Sequence, residues 1–162
     1  MKRIIFVLIG ISLIGVALCM IVTIFYRINF LAQKLPNTQL CKLNGDPYNL
    51  IIKKNKILVF FKPDCYSCEQ TVNEIINSGN ELENVEVLFI SSEHPDSVLL
   101  FSLNFSSEKI TYLCDETALF SKELKVNKYP TIFIYSGKNQ KLTKRFVGAV
   151  PLEQILQALS NE

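Results

Sequence analysis

The run Lys56-Ile57-Leu58-Val59-Phe60-Phe61 restricts the fold more than any other stretch of this chain. A nearly unbroken series of β-branched and aromatic residues is the pattern of a strand buried on both faces, which requires helices packed above and below its sheet. Lys62-Pro63-Asp64 breaks the run, and Cys65 and Cys68 follow at C-x-x-C spacing. From Cys68 to about Gly79, which is placed to stop a helix, Val72, Ile75 and Ile76 then recur at helical spacing. Residues 56–79 are therefore expected to form a central strand, a tight turn and a helix, with both cysteines at the joint.

The alternation continues downstream. Residues 85–90 read as a strand, 95–105 as a helix opened by a proline in its first turn, and 110–114 as a strand. Residues 116–124 carry Leu119, Phe120 and Leu124 as a helical face, 131–135 read as a strand, and 144–147 as its hairpin partner. The last helix starts at Pro151 and brings Leu152, Ile155, Leu156 and Leu159 to one side at i, i+3, i+4 and i+7. Upstream, Asn44-Gly45 between two short alternating runs predicts a hairpin within residues 38–50, closed by a type I′ turn whose two central residues take positive φ. The sum is an α/β sandwich of three layers with an N-terminal β-hairpin.

The N-terminal segment obeys different chemistry. Residues 4–26 contain no charged side chain, between Lys2-Arg3 and Arg27. As a helix they would reach roughly 34 Å, enough to cross a bilayer core of about 30 Å. A cleavable signal peptide has a shorter apolar run and a small-x-small exit, which Phe25-Tyr26-Arg27 does not provide. Leu18, directly before Cys19, is not the small residue that an acylated cysteine needs. We therefore read 1–3 as a cytoplasmic N-terminus, 4–26 as an uncleaved transmembrane signal anchor, 27–35 as a tether and 36–162 as the globular domain. Lys2, Arg3 and the terminal amine orient the anchor, so that the domain lies in extracytoplasmic space, the periplasm in a bacterium, where disulfides persist. Seventeen basic against fifteen acidic residues form no block, which excludes recognition of nucleic acid by bulk charge.

The cysteine pair has three readings. A structural zinc site needs four ligands, whereas the chain has one C-x-x-C and a single histidine, His94, in another segment; no metal is expected. A structural disulfide between residues three apart constrains the unfolded chain weakly, because its benefit grows with the logarithm of loop length. A redox pair fits best: at the start of a helix the unsatisfied amides and the positive end of the dipole favour a thiolate at Cys65, and Cys68, one turn on, can resolve the mixed disulfide it forms. Cys41 and Cys114 fall on expected strands and read as buried free thiols, and Cys19 as a small apolar residue; sequence sets no distance between Cys41 and Cys114.

Lys128-Tyr129-Pro130-Thr131 places a proline directly before a strand-like run, where it cannot be a mid-strand residue. FFKPDCYSC near the start of an α/β domain, Tyr-Pro-Thr-Ile-Phe-Ile further on, and Phe146-Val147-Gly148 before a final helix together resemble the thioredoxin superfamily. Within it the chain is similar to the membrane-anchored thiol-disulfide oxidoreductases of the TlpA and ResA type, over residues 36–160, including Leu43-Asn44-Gly45 in the hairpin and an inserted helix-strand unit that ends at Leu113-Cys114-Asp115. The resemblance implies a cis peptide before Pro130 that faces the cysteines, with Tyr129 and Pro130 binding an extended substrate segment through the backbone. It implies protein thiols and disulfides as substrates, a thiol-carrying membrane protein as electron donor, and no cofactor beyond the Cys65–Cys68 disulfide. Reduction of client disulfides is the direction it implies; a disulfide oxidase or isomerase, and a copper chaperone or redox sensor, are the alternatives. Two departures stand out. Val59 occupies the position of the buried aspartate that many thioredoxins use as proton acceptor, and Tyr66-Ser67 lacks the proline common between the cysteines. Glu93 matches the acidic residue that relatives carry near the site, which makes it a candidate for proton transfer, with a solvated loop glutamate as the alternative.

Overall fold

The computed structural model describes residues 12–24, 35, 36 and 38–160. The chain divides into two units, Met1–Gln33 and Lys34–Glu162. In the first, residues 12–24 form a helix, α1. Its apolar side chains, Leu13, Ile14, Leu18 and Ile21 among them, are exposed, and the Thr23 hydroxyl donates back to the carbonyls of Cys19 and Met20. Among the described residues no helix is long and apolar enough to cross a membrane. The expected anchor over 4–26 extends beyond the described residues at both ends, and the tether over 27–35 lies outside them except for Leu35.

The second unit is a mixed sheet with helices on both faces. In chain order its elements are β1 (Leu40–Lys42), β2 (Pro47–Tyr48), β3 (Asn55–Phe60), α2 (Tyr66–Ile76), β4 (Val85–Ser91), α3 (Pro95–Asn104), β5 (Ile110–Cys114), α4 (Leu119–Glu123), β6 (Thr131–Tyr135), β7 (Leu142–Val147) and α5 (Leu152–Ser160). The strands lie in the order β2-β1-β5-β4-β3-β6-β7. β3, β4 and β5 run parallel, and β6, β7 and the β1–β2 hairpin antiparallel to their neighbours. β3 is thus flanked on both sides, as its uninterrupted apolar run requires. Its Ile57 and Val59, followed by Phe61, join Cys68, Val72 and Ile75 of α2, Val98 and Phe101 of α3, and Ile155 and Ala158 of α5 in one core. The opposite face carries Phe60, whose ring lies 6.0 Å from Phe120 of α4 and 5.5 Å from Phe133 of β6.

Four local expectations change. The hairpin forms, but only Gly45 of its turn takes positive φ, at 85°. Gly45 N–H donates to Lys42 C=O, and Lys42 N–H to Asp46 C=O, which is a type I turn followed by a left-handed glycine and not a type I′ turn. α2 begins at Tyr66, two residues earlier than Cys68, and ends at Ile76; Asn77 caps it, and Gly79 lies beyond, at φ 57°. α4 starts at Leu119 and not at residue 116, because Asp115 turns back to cap it and Ala118 takes a left-handed conformation at φ 54°. On α5, Ile155 and Ala158 are buried, while Leu152, Leu156 and Leu159 only pack partly against the core.

One pair of charges lies within the sheet. Lys56 on β3 is 3 % exposed and pairs with Glu86, its register partner on β4; the second carboxylate oxygen of Glu86 accepts from the Tyr48 hydroxyl. Burial, and after it the charge of Lys54, brings the Lys56 ammonium down to about 8. Glu86→Gln leaves that ammonium without its counter-charge, and is expected to cost about 3 kcal/mol at neutral pH in a denaturant titration. Between about 8 and the ordinary lysine value the unfolded chain holds the proton that the folded chain has released, so stability rises with pH across that window. The deficit of the variant should shrink there, and a deficit independent of pH counts against a charged Lys56.

Candidate active site

Every residue singled out for chemistry lies at one end of the sheet. β3, β4 and β5 run parallel and finish there, while the antiparallel β6 begins there, so Lys62, Glu93, Asp115 and Pro130 gather at the same edge. Phe61 N–H continues the ladder beyond β3 by donating to Ile90 C=O at 3.1 Å. The Phe61 ring is wholly buried, with ring centres of Phe89, Phe101 and Tyr112 at 5.5, 4.7 and 6.1 Å. This aromatic group fixes the point from which the cysteine loop departs.

Pro63 cannot continue the ladder, and the chain turns so that Cys65 N–H donates to Lys62 C=O at 3.2 Å. Cys65 is the N-cap of α2, extended at φ −104° and ψ 105°, and its carbonyl accepts from Cys68 and Glu69 N–H at 2.9 and 3.1 Å. It is bonded to Cys68 in a disulfide with Cα atoms 5.2 Å apart. The two sulfurs are not equivalent: Cys68 is fully buried against the core, whereas Cys65 is half-buried. An incoming group reaches Cys65 only. The amides of Tyr66 and Ser67 have no acceptor one turn back, and the Ser67 hydroxyl lies 3.3 Å from Cys65 Sγ, where it donates to the sulfur. All of these favour negative charge on Cys65 once the bond is reduced. Ser67 escaped the sequence reading, since a serine between two cysteines carries no pattern of its own.

At the start of β6, whose Thr131 is the register partner of Phe60, the Tyr129–Pro130 peptide is cis. Pro130 is buried and Tyr129 half-buried. Pro130 C=O accepts from Gly148 N–H at 2.8 Å, and Gly148 sits at φ 92°, a conformation that a side chain resists. This ties the start of β6 to the end of β7. Glu93 follows β4 and pairs with Lys62 Nζ at 2.7 Å, while the same Nζ stands 5.4 Å from the centre of the Tyr129 ring. Lys62 therefore connects the acidic residue to the proline side of the site, a role that the isolated motif Lys62-Pro63-Asp64 did not disclose. The hydrogen bond to Glu93, foremost, raises the Lys62 ammonium above its ordinary value. Val59 is buried in the core beneath α2, so the family's acidic position is apolar here.

Asp115, where the resemblance has a strand closing on aspartate, is completely buried and serves the fold. Its carboxylate accepts from Phe120 N–H, Ser121 N–H and the Ser121 hydroxyl at 3.2, 2.8 and 2.6 Å, and its own N–H donates to Ser91 C=O. Asp115→Ala strips three buried donors of their acceptor and is expected to cost about 2–3 kcal/mol, measured by chemical denaturation, with the sulfur chemistry preserved. A loss under 1 kcal/mol would show that α4 is held without this cap.

Comparison with known families settles the class. The profile of the thioredoxin-like domain matches residues 51–161. The chain belongs to the thioredoxin-like family. Its fold recurs in solved structures of low identity. A secreted Mycobacterium tuberculosis disulfide oxidoreductase homologous to E. coli DsbE superposes with a TM-score of 0.66 at 15 % identity, over 76 % of this chain and 95 % of that one. StoA from Bacillus subtilis gives 0.60 at 18 %, over 74 % and 93 %. The exposed lipoprotein thioredoxin of Streptococcus pneumoniae gives 0.66 at 20 %, over 76 % and 98 %. No curated protein matches the chain. The matched stretch contains every element from β3 to α5, and the β1–β2 hairpin lies before it.

Proposed function

We propose that this chain is a thiol-disulfide oxidoreductase, held to a membrane by residues 4–26, whose domain faces away from the cytoplasm and reduces disulfides in secreted or periplasmic proteins. The observation that carries the reading is the asymmetry of the pair: a reachable Cys65 at the start of α2, bonded to a buried Cys68, at the end of the sheet where a cis peptide precedes β6. In the reduced form, the Cys65 thiolate attacks one sulfur of a client disulfide, and the other client sulfur leaves as a thiolate that takes up a proton. Cys68 then gives up its proton and attacks Cys65 Sγ, releasing the second client thiol and closing the disulfide. Two electrons pass from the pair to the client, and a membrane thiol donor returns them.

Tyr129 and Pro130 present backbone to an extended client segment, and Glu93 relays the Cys68 proton when Lys62 lets go of it; the nearness of all three to one edge of the sheet supports these roles. The exposure of apolar side chains along α1 supports the anchor. The family resemblance supports reduction as the direction.

Trapping tests the reading. Cys68→Ala cannot resolve the intermediate, so clients are expected to accumulate on Cys65 as mixed disulfides that reducing agent releases; absence of any covalent client in cells grown under oxidising and reducing conditions alike would refute it. The direction is tested separately by the equilibrium potential of the pair: a value near that of thioredoxin, about −270 mV, supports reduction, and one above about −150 mV reassigns the protein to disulfide formation.

A further inference from the structure

The site described above uses two of the five cysteines. Two of the others are brought together by the sheet: Cys41 on β1 and Cys114 on β5 are direct register partners of an antiparallel pair. Directly opposed residues in such a pair have Cα atoms about 4.5–5.5 Å apart, within the roughly 4.4–6.8 Å that a disulfide spans. Their Cβ atoms, about 4.5–5.5 Å apart in this arrangement, need to close by an ångström or less. β1 is well placed to supply that shift, since it is three residues long and its outer neighbour β2 only two. Both thiols are free. Cys114 is buried and Cys41 half-buried, so the pair repeats the arrangement of a reachable sulfur beside a protected one. Burial raises the Cys114 thiol, followed by the charges of Glu116 and of Cys41 itself, which leaves Cys41 as the attacking group.

We propose that Cys41 and Cys114 are a second oxidisable dithiol, which closes into a cross-strand disulfide and clasps the N-terminal hairpin to β5. The oxidant is a small-molecule disulfide such as oxidised glutathione. The Cys41 thiolate attacks one of its sulfurs and expels the first glutathione thiolate; Cys114 then attacks Cys41 Sγ and expels the second. The protons of the two cysteines end on the two glutathione thiols, the protein loses two electrons and the glutathione disulfide gains them. Without the clasp, the hairpin is held to the sheet by two register pairs, Cys41↔Cys114 and Lys42↔Leu113, and its release needs only local opening. With it, residues 73 positions apart in the chain (114 − 41) are joined, and long closed loops are the ones that a disulfide stabilises most. The clasp lies at the same end of the sheet as the first pair: Cys114 faces Ser91, two residues before Glu93.

The test uses the full-length chain in detergent with Cys19→Ser, Cys65→Ser and Cys68→Ser, which leaves only these two thiols, and the unmodified chain in parallel. On equilibration with oxidised glutathione, both thiols are expected to become inaccessible to alkylation under denaturing conditions. A peptide containing Cys41 should be linked to one containing Cys114, at a mass two hydrogens lower than the unlinked pair, and excess reduced dithiol should separate them. The melting temperature of the oxidised form should exceed that of the reduced form by an amount on the order of 10 °C. Thiols that remain free, separate glutathione adducts on each cysteine, or a link between two chains would overturn the proposal. The linked peptide in the unmodified chain decides the matter if the triple variant does not fold.

Discussion

Cys65→Ser is expected to abolish catalytic turnover of a protein disulfide, down to the rate of dithiol reagent alone, while leaving the folded domain in place. Serine at this position keeps the N-cap geometry, and the carbonyl that accepts from Cys68 and Glu69 is unchanged; what disappears is the reachable sulfur of the Cys65–Cys68 pair. Stability compared in the reduced state removes the disulfide itself from the difference, and should agree with the parent within about 0.5 kcal/mol. Cys68→Ser behaves differently. Attack by Cys65 survives, so one equivalent of client thiol is released, and the reaction then stalls with the second client sulfur still bound. Multiple turnover by the Cys65→Ser chain would show that Cys68 is accessible and would overturn the assignment of roles made from burial.

The largest effect on stability is expected at Phe61. Phe61→Ala empties a site ringed by Phe89, Phe101 and Tyr112, all buried, at the point where β3 gives way to the cysteine loop. A cost of about 4 kcal/mol is expected from a denaturant titration, a large part of the 5–15 kcal/mol that typically separates folded from unfolded chains. Tyr66→Ala provides the comparison: that ring is 73 % exposed, and its removal should change stability by no more than about 0.5 kcal/mol. A loss below about 1.5 kcal/mol at Phe61 would mean that the surrounding rings collapse into the gap and that the loop is anchored elsewhere.

The parts legible in the chain were those where local pattern and burial point the same way. The run from Lys56 to Phe61 could only be a covered central strand, and the two cysteines after it could only sit where a strand turns into a helix. Thr131 to Tyr135 is likewise too apolar for an edge. Boundaries set by particular hydrogen bonds were not legible, because periodicity records residue type and not which donor meets which acceptor. α4 starts late because the Asp115 carboxylate, in the loop that leads into it, satisfies its first amides. The hairpin turn adopted one left-handed residue and not two because Lys42 and Asp46 close it with an extra position.

The chemistry available is already written in residue order: a C-x-x-C pair at a helix start, a proline ahead of a strand, an apolar N-terminal segment, and an aliphatic residue where relatives hold an acid. Those properties depend on residue type and on spacing within one or two turns of chain, which periodicity records. Which sulfur is reachable, the link that Lys62 makes between Glu93 and the Tyr129 ring, and the pairing of Cys41 with Cys114 emerge from the folded chain alone. Each of these depends on strand order, and the order β1-β5-β4-β3-β6 arises from how apolar faces are covered across the whole sheet, an outcome that no window of neighbouring residues contains.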